Sequence, residues 1–504
     1  SMLDRLQEFY NSRIALTMSK PWHSIGIAII CIFIGIFLLA LLPQETFPKL
    51  ERNQFAVEIY FPEGTSLDAN AKTTKEMAKI ILQDKRVIDV ISFIGTSSPR
   101  FNTLYAPQIP AKNYSQLIVI TDTNKNTKKV LREYDAKYRD AFANAHIKFK
   151  ELDFLPVTAP IEIRISGDNI EEIKNYSNKI KAVMQQEKDI IWLRNDFRNP
   201  LLSIDLDINK EAANRLGITR GLLGLSTALN RNGMTVATIW ESDYPKSVVL
   251  KYDKSKTSKP EDLGSQYVSA PLSAKPIMLR QVAKLKPGFS EGQIVRRNGR
   301  LTLTLYADVA FGKLANPIFK NIEAKIKDIP KPSDIDVTYG GEYEKSLETY
   351  GPFSKSLVTS VILIFFILLF QFKSVRLSLL VMCTMPLSLI GGVLGLLIIG
   401  YPFGMTSFVG FIGLFGIVVR NGVILITYAH ELERGGMSLK DAAIAAGKRR
   451  MRPIFLTASA AAVGVIPLIT SGSLLWGPLG TVICFGLIGS TILTLYVLPV
   501  AYWK

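Results

Sequence analysis

Cysteine and histidine are scarce in this chain of 504 residues, which has three of each. Cys31, Cys383 and Cys484 all lie inside apolar runs, so the polar part of the chain has no cysteine to cross-link and a disulfide scaffold is disfavoured. The histidines are scattered and form no metal or catalytic set. No nucleophile–base set, Walker loop or methionine cluster with metal-ligand spacing is found. The sequence therefore predicts neither an enzyme with catalytic residues nor a cofactor or metal site.

Charge is almost missing from two parts of the chain. Residues 22–42 and 357–502 are nearly all apolar, whereas residues 43–354 have the composition of a soluble protein. The first apolar run has about 20 residues, which is the length needed to cross a bilayer core. It is too long for a signal peptide and no small-residue cleavage site follows, so we expect an uncleaved anchor. Five further spans are predicted at residues 357–370, 377–399, 407–429, 453–470 and 479–503.

Lysine and arginine are absent from the loops 400–406 and 471–478, whereas the alternate loops are basic. By the positive-inside rule, the basic loops lie in the cytoplasm together with residues 1–21. They include the amphipathic loop 430–452. Both termini are then cytoplasmic, and residues 43–354 lie outside, in the periplasm if the membrane is the inner membrane of a Gram-negative bacterium. Part of the net charge of +17 therefore comes from basic residues in the cytoplasmic loops. The chain has no basic block interleaved with aromatic residues, so nucleic-acid binding is not predicted.

Strand and helix patterns alternate through the polar region. Residues 43–156 have the order strand–helix–strand–strand–helix–strand, which is that of the ferredoxin-like βαββαβ unit. A second such unit occupies residues 157–201 and 296–345. Residues 202–295 interrupt it and are interpreted as an inserted subdomain, with a turn predicted at Asn232-Gly233. The predicted fold is a bundle of six transmembrane helices, in residues 22–42 and 354–504, with an extracytoplasmic α+β region.

Arg420 lies about halfway along the fourth predicted span. A basic side chain at the bilayer centre costs roughly 2.5–3.5 kcal/mol on insertion scales, so it normally faces the bundle interior and an anionic partner. None of the predicted spans carries Asp or Glu at that depth. Arg420 therefore lines a wet cavity, extends to an interface, or pairs with a carboxylate of another polypeptide. We favour the last interpretation.

The fifth predicted span begins with a basic stretch that includes Arg450. Thr457 follows two helical turns later, so both residues can share one helix face. Pro453 is expected at the start of this helix, where its missing N–H costs nothing. The alternative for Arg450 is that it only follows the positive-inside rule. Glycines around Arg420 and small residues at 458–464 permit close helix packing.

Four stretches resemble the resistance-nodulation-division (RND) transporters, and in particular their hydrophobe/amphiphile efflux branch. They are residues 47–48 (FP) with 52–55 (RNQF), 416–426 (GIVVRNGVILI), 450–457 (RMRPIFLT) and 498–500 (LPV). The resemblance covers essentially the whole chain, yet such transporters consist of two tandem repeats. This chain resembles only the second, C-terminal repeat.

The resemblance implies a proton-driven multidrug or amphiphile efflux transporter that needs no cofactor beyond the proton motive force. Arg420 and Asn421 occupy the positions where the second repeat usually has Lys-Asn, and Arg450 and Thr457 match other relay-associated positions. The first repeat, with its paired Asp residues, would be the missing partner. The α/β units would be porter subdomains and residues 202–295 the docking subdomain of a trimer. Further implied partners are a periplasmic adaptor, an outer-membrane channel and lipophilic or amphiphilic small molecules.

Phe93 and Phe101 lie in the region where the family lines its drug pocket, although ordinary core aromatics explain each equally well. The chain can be a separately encoded subunit or a fragment of a longer transporter. Two other functions remain open: an assembly subunit or homo-oligomer without proton coupling, and an accessory subunit of protein translocation. The intact pair of porter units argues against the translocation subunit.

Overall fold

The computed structural model describes residues 2–49, 51–100, 107–152, 157–198, 200–251, 260–273 and 275–504. The chain begins with helix α1 (Met2–Ser19), which is followed directly by the apolar helix α2 (Pro21–Leu41). Pro21 starts α2, where proline needs no helical hydrogen-bond acceptor.

The first α/β segment forms a four-stranded antiparallel sheet in the spatial order β2-β3-β1-β4. Its elements are β1 (Gln54–Tyr60), α3 (Leu67–Leu82), β2 (Val87–Ile94), β3 (Tyr114–Thr121), α4 (Asn124–Tyr138) and β4 (His146–Glu151). The Ser66 side chain accepts the Ala69 N–H at 3.2 Å and so caps the start of α3. Phe55, Val57 and Ile59 alternate along β1 and pack under both helices.

The second α/β segment begins with β5 (Ile161–Gly167), α5 (Ile170–Met184) and β6 (Ile190–Asn195). The chain then enters a separate compact unit, Phe197–Gln293. Its elements are β7 (Leu201–Ile208), α6 (Lys210–Arg215), α7 (Arg220–Asn232), β8 (Met234–Glu241), β9 (Tyr244–Leu250), β10 (Tyr267–Val268), β11 (Ile277–Met278) and β12 (Ala283–Ser290). β12 pairs with β7, and β8 pairs with β9 in a hairpin that is exposed along both strands.

The predicted turn at Asn232-Gly233 is the end of helix α7 rather than the hairpin turn. Gly233 adopts a φ of 76° and its N–H donates to the Leu229 carbonyl, which terminates the helix. The left-handed conformation is one that glycine adopts without steric cost. The hairpin itself turns at Ser242, which has a φ of 55°.

The chain returns to the second sheet after the inserted unit. The returning elements are β13 (Arg296–Arg297), β14 (Arg300–Val309), α8 (Ala315–Lys327) and β15 (Asp336–Gly341). β14 lies between β5 and β6, and β15 pairs with the other edge of β5, all antiparallel. Both sheets thus place their helices on one face and leave the other face free of helices of their own.

The C-terminal region is helical. It consists of α9 (Glu342–Phe372), α10 (Val375–Met382), α11 (Thr384–Ile399), α12 (Met405–Arg434), α13 (Leu439–Gly464), α14 (Ile466–Thr470) and α15 (Gly477–Trp503). Together with α2, six segments of the described chain are long and apolar enough to cross a membrane, at the six predicted places. The second span shows the largest difference from prediction, because α9 begins 15 residues before position 357 and continues directly from β15.

The prediction that Pro453 stands at the start of its helix is wrong, because Pro453 lies inside α13. The basic stretch before it is already helical from Leu439 onwards. Proline removes the donor for the carbonyl of Arg449, four residues earlier. Arg449 is exposed, so solvent can satisfy that carbonyl.

Pro499 creates a similar gap in α15, and another helix fills it. The Leu495 carbonyl has no helical donor, because Pro499 stands four residues later. The buried Tyr10 hydroxyl of α1 donates to it at 2.9 Å. Helix α1 packs here through Tyr10, Ile14 and Met18, which recur every four residues and are buried.

Candidate functional site in the membrane helices

Arg420 lies on an exposed face of α12. Gly416 and Gly413 lie on the same face, one and two turns earlier respectively, and both are exposed. A Cβ atom added to either glycine would meet no atom within 4 Å. The helix therefore presents an open strip of small residues that leads to a cation, a surface that a second helix can approach closely.

No carboxylate of the described residues lies within salt-bridge distance of Arg420. The nearest acidic residues in sequence are at the C-terminal end of the same helix, where Glu433 already has partners. Tyr502 of α15 donates its hydroxyl to Glu433 at 2.5 Å, and His430 Nδ1 lies 3.1 Å from the same carboxylate oxygen.

Asn421 faces the opposite way from Arg420, into the packed helices, and is 2% exposed. Its Oδ1 atom has no hydrogen-bond partner among the described residues. The buried hydroxyls of Thr427, Thr491 and Thr494 also have no hydrogen-bond partner among the described residues. These threonines belong to α12 and α15, two helices that pack together. Buried polar atoms without partners are rare and need an explanation. Sequence reasoning missed these threonines, although hydroxyl residues inside an apolar run are a usable signal.

Arg450 is half-buried on α13, and its guanidinium lies 4.5 Å from the centre of the Tyr428 ring of α12. This cation–π contact ties the two helices together. The buried Nε atom of Arg450 has no hydrogen-bond partner in the described part of the chain. The contact with Tyr428 was not predicted.

Thr457 is exposed two turns after Arg450 on the same helix. Its hydroxyl donates to the Pro453 carbonyl at 3.0 Å and lies 3.1 Å from the Ile454 carbonyl. It therefore bonds within its own helix and not to Arg450. The structure places the four predicted residues on two neighbouring helices, and it pairs none of them with another.

Phe93 lies in the first sheet, on the face that its helices leave free. It is half-buried and packs against the small apolar cluster Ala56, Ile118 and Leu152. Phe101, the second predicted pocket residue, lies outside the described residues.

The whole chain, residues 1–504, matches the AcrB/AcrD/AcrF family. The chain belongs to this family of RND transporters. This assignment agrees with the resemblance carried by the stretch around Arg420.

Curated relatives cover nearly all of this chain. Protein HelA of Legionella pneumophila is 27% identical over 95% of this chain and 47% of its own length. The swarming motility protein SwrC of Bacillus subtilis is 23% identical over 99% of this chain and 47% of its own length. The cobalt-zinc-cadmium resistance protein CzcA of Cupriavidus metallidurans is 26% identical over 94% of this chain and 46% of its own length. The chain thus spans about half the length of the relatives it matches.

A solved structure supports the same fold. The crystal structure of a heavy metal efflux pump matches all of this chain and 52% of the solved chain, with a TM-score of 0.82 and 23% identity. The names of this pump and of CzcA refer to metals, whereas the sequence motifs predicted the amphiphile branch.

Proposed function

We propose that this chain acts as the second half of a proton-driven efflux transporter in a bacterial inner membrane. One observation carries the proposal: Arg420 stands on an open strip of α12 with no carboxylate of the described chain beside it. The chain matches about half the length of HelA and of CzcA. The partner is a first-half polypeptide or segment that carries the paired Asp residues.

The role of Arg420 in this proposal is electrostatic. An ionised Asp of the partner attracts the guanidinium across the helix contact, and the low dielectric of the membrane strengthens that attraction. A proton that neutralises the Asp releases Arg420 and favours a second arrangement of the helices. Asn421, Arg450 and Thr457 support the relay, with Arg450 held against Tyr428.

The two sheets are proposed to act as ferredoxin-like porter subdomains in the periplasm, and the unit Phe197–Gln293 as the docking subdomain. The assembly is proposed to be a trimer that works with a periplasmic adaptor and an outer-membrane channel. The exposed apolar hairpin of β8 and β9 supports a role of the docking unit in assembly.

The proposed substrate is a lipophilic or amphiphilic small molecule. The resemblance of the stretches around Arg420 and Arg450 to the amphiphile efflux branch supports this choice. A divalent heavy-metal cation is the second candidate, which the names of CzcA and of the solved pump favour. A growth assay distinguishes the two candidates. A pump-deficient strain that expresses the transporter is grown in dyes and detergents and, separately, in cobalt, zinc and cadmium salts, and the compounds to which it gains resistance identify the substrate class.

Co-expression tests the half-transporter proposal. A strain lacking its own efflux pumps receives this chain alone, the first half alone, or both, and efflux of a fluorescent amphiphile and of cobalt is followed with and without an uncoupler. We expect uncoupler-sensitive efflux only with both halves, and none when the partner's paired Asp residues are changed to Asn. Full efflux from this chain alone would favour a homo-oligomeric transporter. An assembled pair with no proton-dependent efflux of either substrate would favour an assembly subunit.

A further inference from the structure

The two sheets meet through side chains and not through strand pairing. In the described residues, no strand of the first sheet hydrogen-bonds to a strand of the second. Glu58 and Tyr60 alternate with the apolar residues of β1, so they lie on the face away from the helices. Charged and aromatic residues of β6 and β14 meet this face.

Asp308 of β14 joins the two sheets by a pair of ion contacts. Its Oδ1 lies 2.7 Å from Lys148 Nζ of the first sheet, and its Oδ2 lies 2.7 Å from Arg194 Nη1 of the second. The side chains of Lys148 and Asp308 are only 12% and 7% exposed. Burial opposes the charged form of Asp308, but these two cations hold the pKa of its carboxyl below its usual range.

Aromatic rings surround this contact. The His146 ring stacks on Trp192 at 4.0 Å, and the Arg194 guanidinium lies 3.7 Å from the centre of the same indole. Two groups so close to one ring centre must lie on its opposite faces, so Trp192 is held between them. Tyr60 packs against Trp192 at 4.9 Å and donates to Glu58 at 3.0 Å.

Beside this contact is a cavity of about 560 Å³. His146, Lys148, Trp192 and Asp308 are among the residues that line it. Because Lys148 and Asp308 both line the cavity, water that enters it can contact both ends of the ion pair. A charge that leaves its partner can therefore be rehydrated without unfolding either sheet.

We propose that Lys148, Asp308 and Arg194 form an ionic latch that holds the two sheets together and opens reversibly. A buried ion pair roughly balances its Coulomb attraction against lost hydration. Separation therefore costs much less free energy than exposing an apolar seam of the same area. Opening breaks the bond between Lys148 and Asp308, separates Trp192 from His146 and Tyr60, and leaves Asp308 paired with Arg194. The latch controls access to the cavity, and it depends only on the two sheets, so it is independent of the proposed proton coupling.

The distance between the two sheets is the direct measurement. Spin labels are attached to cysteines at the exposed positions Lys75 of α3 and Lys320 of α8, after Cys31, Cys383 and Cys484 are replaced. Pulsed electron–electron double resonance on the full chain in nanodiscs then gives the distribution of distances between the two spin labels. The primary variant is Lys148→Met, because it removes the ion contact between the sheets and leaves Asp308 paired with Arg194.

We expect one dominant distance in the parent and an additional longer distance in Lys148→Met. Lys148→Arg should restore the parent distribution. The matched control is Lys325→Met, which removes an ion pair with Glu187 inside the second segment and should leave the distribution unchanged. The latch is overturned if Lys148→Met keeps the parent distribution while circular dichroism shows a folded chain. It is also overturned if Lys325→Met lengthens the distance equally. If Lys148→Met fails to fold, Lys148→Gln takes its place. The distance distribution of the parent in Lys148→Gln would overturn the latch, whereas an additional longer distance would support it.

Discussion

Two arginines show how differently the chain treats its charges. Arg164 of the second sheet is almost buried, with Glu344 oxygens at 2.7 and 3.0 Å and Glu162 at 2.9 Å. Arg420 of α12 is exposed, and no described carboxylate lies within salt-bridge distance. The sheet-rich region therefore satisfies its charges from its own sequence. Among the described membrane helices, Arg420 has no such carboxylate partner.

Removal of Arg164 should have the largest effect on stability. Arg164→Met leaves Glu162 and Glu344 without their cation, and loss of one partner from a buried pair costs about 3–5 kcal/mol. Chemical unfolding followed by tryptophan fluorescence measures the change. The control is Arg300→Met, which removes an exposed pair with Asp336 in the same sheet and should leave the midpoint unchanged. An equal loss in both variants would contradict the difference between buried and exposed pairs.

Tyr10→Phe should have a smaller effect, because it removes one hydrogen bond and keeps the ring. The loss leaves the Leu495 carbonyl without a donor and should cost about 1 kcal/mol. Unfolding in mixed detergent micelles measures it. Tyr496→Phe is the control, since its ring lies 5.2 Å from that of Tyr10. If Tyr10→Phe unfolds like the parent, the hydroxyl does not compensate for Pro499.

Acid should weaken the region around the latch through His146. Burial, first, and the nearby Arg194 lower its pKa from 6.5 to about 4, against the opposing effect of Asp140 and Asp308. The unfolded chain therefore binds a proton at a higher pH than the folded chain, and stability falls as pH drops from about 6.5 to about 4. His146→Phe should flatten this dependence in thermal unfolding at stepped pH. The exposed His23 is the control, and a slope that survives His146→Phe but not His23→Phe would refute the assignment.

Arg420→Met should have the smallest effect on the isolated chain, within about 0.5 kcal/mol, because the residue is exposed and unpaired there. The same detergent-unfolding assay as for Tyr10→Phe measures it. A loss of several kcal/mol would mean that this chain itself holds the guanidinium, and the contrast with Arg164 would disappear.

The sequence predicts the six spans because apolar runs of about 20 residues leave few alternatives. It also predicts the strand and helix order, since alternation marks β1 and a cap marks α3. It does not predict that Pro453 lies inside a helix, because a proline marks a helix start as often as a kink. Nor does it predict the contacts of Lys148 with Asp308 or of Arg450 with Tyr428, which join residues distant in sequence through packing alone.

Proton-driven efflux by the two halves together tests the central claim about Arg420 most directly. Proteoliposomes containing this chain and a first half with paired Asp residues are given an imposed pH gradient, and export of the transported substrate is measured for the parent, Arg420→Met, Arg420→Ala and Arg420→Lys. We predict that the Met and Ala variants assemble with the partner but lose gradient-driven export, and that the Lys variant retains it. Export by Arg420→Met or Arg420→Ala at the rate of the parent would contradict the claim that Arg420 pairs with a carboxylate of the missing half.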